Sequence, residues 1–173
     1  MREVSISEVW AKKYPERVVI ALTCDEKGKV NLIPLGWCMQ TSFNPPLIAI
    51  SVGITRYSHR LLEKTGEFVL SFPNKNMGKE VYFCGTHSGK DTDKLKETGL
   101  KTRPAKFIRP PLLAECPINL ECKVVNSLRT GDHTIFVGRI LAAYVEKKEE
   151  ILLNYGNYQF GGIKEPEILF SLD

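Results

Sequence analysis

One long hairpin constrains this chain more than any other stretch. "INLECKVVNSL" (118–128), the turn "RTGD" and "HTIFVGRILAAYVE" (133–146) read as two arms of an antiparallel pair. In the first arm Ile118, Leu120, Cys122 and Val124 alternate with Asn119, Glu121 and Lys123. That period of two predicts one buried face and one polar face. Other strands are predicted at "RVVIALTC" and "KVNLIPLGWC" around the turn "DEKGK", at "PLIAISV" and at "EFVLSFP". Between them, "YSHRLLEKTG" reads as a helix that Gly66 ends, and "NMGKEVYFCG" and "DTDKLKETG" as short helical pieces. "SISE", Ser5 to Glu8, has the capping-box spacing of a helix start. Strands joined by hairpins, with helices inserted between some of them, predict a mainly β (α+β) antiparallel sheet or barrel rather than a doubly wound parallel sheet.

Length and charge narrow the function. The 173 residues fit one domain, 1–173. A net charge of +4, with Lys and Arg often beside acids as in "DKLKE", is too weak and dispersed for nucleic acid. No apolar run is long enough to span a bilayer. "MREVSISEVWAKKYPE" carries acids and lacks the apolar core of a signal peptide. Five scattered cysteines (24, 38, 84, 116, 122) without a CxxC pair fit reduced thiols in a cytoplasm. Cys84 and His87 in "CGTH" have a metal-like spacing, but no second pair completes a ligand set, so no metal is expected. Neither GxGxxG nor GxxxxGK[ST] occurs, so a nucleotide would have to be held in another way.

"GITRYSHRLLEKTG" (53–66) leaves a buried strand and enters a helix through a knot of hydrogen-bond donors. Two readings stand. Thr55 or Ser58 is an N-cap and Arg56, His59 and Arg60 are solvated; or the helix N-terminus, with Gly53, Thr55, Arg56 and Ser58, binds a phosphate. "WCMQTS" (37–42), just before the "NPP" turn, is too polar for a core strand and too rich in Trp and Met for an idle loop. It suits a flat aromatic ligand, unless Trp37 and Met39 are core residues. "CGTHSGKDTDK" adds a small-residue loop carrying Lys90. "NYGNYQFGG" clusters Tyr155, Tyr158 and Phe160 between glycines, as a mobile segment able to close over a ligand.

The order of "PLGWCMQTSFNPPLIAISVG", "TRYSHRLL", "EFVLSFP", "CGTHSGKDTDK", "ECPINLECKVV" and "TGDHTIFVGRI" resembles the flavin reductase-like, FMN-binding split-barrel proteins, and most of all their flavoredoxin and archaeal ferric reductase branch. The likeness spans about residues 14–162. It implies a Greek-key split barrel with short helical insertions, a homodimer, and one non-covalent FMN per subunit. Carried over by position, it implies that Asn31 faces the flavin. Trp37, Cys38 and Met39 would run along the ring and ribityl chain, with Thr41 and Ser42 as small hydroxyl positions. Ser51, Val52 and Gly53 would pass beside the ring, and Thr55, Arg56 and Ser58 would meet the phosphate. Cys84, Gly85, Ser88 and Lys90 would reach the cofactor from their loop. Phe160 would lie near the ring, and His133 where a nicotinamide approaches.

Such a cofactor takes electrons from NADH or NADPH and releases them singly or in pairs. No side-chain acid or base is strictly required, so no catalytic residue is assigned. The resemblance implies an NAD(P)H-dependent reductase of flavin, ferric iron or a protein acceptor. The alternative is an electron carrier reduced by a partner protein.

Overall fold

The computed structural model describes residues 1–146 and 150–163. Ser5 opens helix α1 (Ile6–Ala11), its hydroxyl accepting the Glu8 N–H. Strands β1 (Glu16–Arg17), β2 (Val19–Cys24), β3 (Val30–Leu35), β4 (Cys38–Ser42) and β5 (Leu47–Gly53) follow. Helix α2 (Tyr57–Thr65) leads into β6 (Glu67–Phe72), then helices α3 (Gly78–Thr86) and α4 (Lys94–Thr98). Short strands β7 (Thr102–Arg103) and β8 (Leu112–Leu113) precede the long pair β9 (Ile118–Thr130) and β10 (His133–Val145). Two further short strands are β11 (Leu153–Asn154) and β12 (Phe160–Gly161). Helix α2 ends on Gly66 and α4 on Gly99, with φ of 62° and 70°. Glycine adopts this left-handed conformation without a Cβ penalty.

Seven strands form one antiparallel sheet in the order β3-β2-β6-β9-β10-β5-β4. The connection from β5 through α2 to β6 steps over β10 and β9, the crossover of a Greek key. Irregularities in the β9–β10 register at Val137/Gly138 and Ile140/Ala142 bend the long ribbon. Gly138 allows the bend to pack, because a Cβ there would lie 2.6 Å from Phe68 Cζ.

The continuous apolar run of β2 has the physical meaning expected of a strand covered on both sides. Val18, Ile20 and Leu22 join one core cluster, with Val69, Val81 and Leu113. Val19 and Ala21 join another, with Ile50, Phe68, Leu70 and Phe136. Phe68 and Leu70 meet that second core, and Val69 between them meets the first.

The expected polar face of the hairpin's first arm is corrected by the structure. Asn119 and Glu121 are buried, 4% and 0% exposed. Periodicity reveals which residues share a face, but not that the chain between α4 and β9 returns across it. That segment brings backbone groups needing partners. Asn119 Oδ1 accepts the Leu113 N–H at 3.0 Å and the Ser71 hydroxyl at 2.6 Å. Its Nδ2 donates to Leu113 O and Cys116 O at 3.1 and 3.2 Å. Glu121 accepts the N–H groups of Lys106 and Phe107 at 2.7 Å and the Tyr144 hydroxyl at 2.6 Å.

The aromatic segment read as mobile is instead tied down. β11 pairs with β1 and with β12, and Tyr155 donates its hydroxyl to Gly162 O at 2.7 Å. Tyr158 meets Tyr82 edge-on, with ring centroids 5.4 Å apart.

Burial raises the Glu121 pKa, but the donors around its carboxylate outweigh that and hold it below the ordinary glutamate value. A depressed native pKa contributes stability above the unfolded value, near pH ~4.3, and loses it as pH falls through the native value. Glu121→Gln should therefore lose about 1–3 kcal/mol at pH 7. In urea titrations its deficit against the parent should shrink below about pH 4. A deficit constant with pH would show that the charge plays no part.

Candidate functional site

A cleft of about 370 Å³ opens where β3, β5, α2, the α3–α4 loop and the start of β10 converge. The sheet register builds it. β10 pairs antiparallel to β5 with His133 opposite Gly53, so the hairpin turn arrives where β5 hands over to α2. Because strand side chains alternate, Ser51 and Gly53 line the cleft while Val52 points into the second core.

The helix entry is bare. Arg56 occupies the N-cap position of α2, its side chain makes no cap hydrogen bond, and no acid lies in the first turn. The N-cap reading of Thr55 and Ser58 therefore does not hold. Ser58 is buried and its Oγ accepts a hydrogen bond of 2.6 Å from Asn31 Nδ2, leaving the hydroxyl hydrogen free. Exposed Arg56 forms no ion pair among the described residues. An uncapped helix N-terminus beside an unpaired guanidinium is a strong local attraction for an anion.

Asn31, on β3, is 2% exposed, yet its Oδ1 has no hydrogen-bond partner among the described residues. A buried acceptor without a donor is costly, and this one lines the cleft. Gly89 lies directly against it, since a Cβ on Gly89 would sit 1.8 Å from Asn31 Oδ1. At the rim, Trp37 is 53% exposed and lies against His133, the rings tilted by 44° with centroids 4.7 Å apart. His133 Nδ1 contacts Asp132 Oδ1 at 2.8 Å. The core reading of Trp37 and Met39 fails, because Met39 is 58% exposed on edge strand β4.

The predicted residues Asn31, Trp37, Ser51, Gly53, Thr55, Arg56, Ser58, Cys84, Gly85, Ser88 and His133 come together in the lining. Others lie elsewhere. Cys38 packs against the second core, and Cys38 and Met39 line an adjoining apolar groove. Thr41 and Ser42 sit on β4 outside the lining. Lys90 lines a neighbouring basic pocket. Phe160 packs on the first core, its Cβ 3.2 Å from where a Cβ on Gly78 would be.

The sequence reading missed Lys94. The "DKLKE" stretch reads as solvated surface, but Lys94 is 4% exposed and lines the cleft. Its ammonium donates to Leu32 O at 2.7 Å and Cys84 O at 2.6 Å, tying α4 to β3 and α3. Burial pulls its pKa down, helped by Arg56 and opposed by Cys84. Burial in turn pushes the Cys84 thiol up to about 11. The one available signal was position, as Lys94 is the first residue of a helix capped by Asp93. Glu16, Gly36, His87 and Gly89 also line the cleft, from loops and a short strand with no periodicity to reveal them.

The arrangement defines a class: a mainly β barrel with a cationic, aromatic-rimmed cleft at the joint between a strand and a helix N-terminus. The chain belongs to the flavin reductase-like family, whose flavin reductase like domain matches residues 11–164. An uncharacterised protein of Archaeoglobus fulgidus is 36% identical over 152 residues, 85% of this chain and 82% of its own. The FMN-binding protein of Thermus thermophilus, solved with bound p-hydroxybenzaldehyde, superposes with a TM-score of 0.87. It is 26% identical, with 99% of this chain and 100% of that one covered. The flavoredoxin of Methanosarcina acetivorans superposes with a TM-score of 0.82 at 28% identity, covering 96% of this chain and 94% of that one. The fold is thus the split barrel.

The contact between Gly89 and Asn31 makes a specific prediction. Gly89→Ala should cost about 1–3 kcal/mol of stability through overpacking. Asn31→Ala should remove most of that added cost, a non-additivity that a double-mutant cycle measures. Additive losses would refute the contact.

Proposed function

We propose that the cleft holds one FMN non-covalently, and that the protein is an oxidoreductase passing electrons from NADH or NADPH to a flavin, ferric iron or protein acceptor. One observation carries this reading: the uncapped α2 N-terminus with Arg56 stands beside the orphaned Asn31 Oδ1. The two ask for opposite things. The helix end, Arg56 and the free Ser58 hydroxyl hydrogen ask for a group of acceptors, as a phosphate monoester is. Asn31 Oδ1 asks for a donor, which a ribityl hydroxyl is and a phosphate dianion is not. A flavin mononucleotide carries both, separated by a short chain.

When bound, the flavin supplies acceptance of electrons in pairs and release in ones or twos. The protein's residues bind and orient it. Trp37 and His133 offer an aromatic wall at the rim, and Ser51 and Gly53 let the ring approach the end of β5. Lys94, held between two carbonyls, adds a fixed positive charge that favours an electron-rich cofactor. Flavin release and mass spectrometry test the cofactor. FMN is expected, and FAD or no flavin at all would overturn the reading.

A carrier reduced by a partner protein is the second reading, favoured by the likeness to the flavoredoxin of Methanosarcina acetivorans. Anaerobic mixing of the flavin-loaded protein with NADH and with NADPH separates the two. Bleaching within seconds is expected, and reduction by neither would favour the carrier.

A second copy of the chain is the proposed partner. Trp37, Met39 and Leu128 are 53%, 58% and 64% exposed. The apolar groove lined by Met39, Ala49 and Ile135 shares Trp37 with the cleft, so a second copy seated there would also wall the cleft. Sedimentation should show a dimer that Met39→Lys dissociates. A monomeric parent protein would rule this out.

Arg56→Ala should weaken FMN about ten- to a hundredfold, the effect of losing one charge-assisted hydrogen bond. Riboflavin, which lacks the phosphate, should be affected about twofold at most. Equal losses for both, measured by fluorescence titration, would place Arg56 outside the phosphate contact.

A further inference from the structure

The cleft is polar at both ends, and the two ends carry opposite charge. Alternate residues of β3, Asn31, Ile33 and Leu35, line it along a run of about 13 Å. Asn31 bonds Ser58 and Lys94 bonds Leu32 O, so the α2 N-terminus with Arg56 and the buried ammonium gather at the start of that run. At its other end Val19 pairs with Leu35, which brings the chain ahead of β2 alongside Gly36. Glu16 enters the lining there. A Cβ on Gly36 would lie 2.5 Å from Glu16 Oε1, so this glycine leaves the room that the carboxylate occupies.

Among the described residues Glu16 is the one acid of the lining. Lys13 stands outside the lining and pairs with Glu16 Oε2, which fixes the group in place. Oε1 has no hydrogen-bond partner among the described residues. Between the two ends runs the aromatic rim. A Cβ on Gly53 would lie 3.5 Å from both Arg56 Cγ and His133 Nε2, and Trp37, the residue after Gly36, lies against His133.

A ligand that fills the cleft therefore meets cations at one end, aromatic rings along its length and a carboxylate oxygen at the other end. An ionised carboxylate only accepts hydrogen bonds. It repels a second anionic group and attracts an N–H or O–H, with about twice the strength of a neutral acceptor. A flavin whose phosphate lies at the α2 N-terminus carries the pyrimidine edge of its ring far from that phosphate. This edge bears the one N–H of the oxidised ring, at N3.

We infer that Glu16 Oε1 accepts the N3–H of the flavin ring, making Glu16 a specificity-determining residue at the end of the cleft opposite the phosphate. It fixes which edge of the ring lies against Gly36 and selects rings unsubstituted at N3. Its charge also opposes the gain of electrons by the ring, the reverse of the effect of Lys94. The inference rests on the flavin reading of the cleft.

The test is fluorescence titration of the flavin-free protein with FMN and with 3-methyl-FMN, in which a methyl group replaces the N3 hydrogen. The parent should bind FMN about tenfold or more tighter than the methyl analogue. In Glu16→Ala, FMN affinity should fall about tenfold while that of the analogue changes about twofold at most, so the preference disappears. Glu16→Gln keeps the shape and an acceptor oxygen but removes the charge. Loaded with FMN, it should show a midpoint potential above that of the parent in a spectroelectrochemical titration.

Equal binding of the two flavins by the parent overturns the inference and leaves the flavin reading standing. So does an equal loss for both in Glu16→Ala, which would make Glu16 merely structural. A preference kept intact in Glu16→Ala would assign the N3–H to another acceptor, and an unmoved potential in Glu16→Gln would place the charge away from the ring; either overturns the inference. Binding of neither flavin by the parent overturns both readings.

Discussion

The antiparallel pairing of β10 with its two neighbours is the constraint on which the rest of this structure depends. Along its length β10 bonds β9 on one edge, and over His133–Arg139 it bonds β5 on the other. β9 in turn bonds β6 through Glu67–Phe72. Because side chains alternate with period two, a slip of one residue would turn every one of them to the opposite face. The fit of the Phe68 ring over Gly138 holds the ribbon in place at its bend. With that register set, His133 must come to rest opposite Gly53, at the root of α2. The cleft is therefore a consequence of sheet pairing, not a loop arrangement added to it.

Buried polar groups fasten the remaining pieces. Asn119 and Glu121 hold the returning segment over β9 by accepting its N–H groups. Lys94 fastens α4 through two carbonyls that belong to β3 and α3. Each satisfies partners that would otherwise be buried unpaired, where such groups cost most. Against this background the unpaired Oδ1 of Asn31 stands out, because the neighbouring polar side chains Ser58 and Lys94 are engaged. The flavin reading uses this contrast between polar groups that are satisfied and groups that are not. In the cleft the groups left without a partner among the described residues include Asn31 Oδ1 and Arg56.

Local pattern along the chain specifies the elements and much of their order. Period-two alternation, the Ser5 and Asp93 caps and the glycines at 66 and 99 act over a few residues, so they are legible locally. The donor knot at 53–58 was legible as well, because a helix start carries its own chemistry. What covers each face is set by long-range packing. "DKLKE" has the pattern of a surface helix, and nothing in it says that Lys94 turns inward to two carbonyls distant in the chain. The alternation of β9 shows a polar face but not the segment that buries it. Phe160 and Lys90 likewise went to a core and a separate pocket through pairings set far away. Spacing within a strand or helix fixes which side chains point together. What they meet depends on contacts between residues distant in sequence, and these exist only once the sheet has closed.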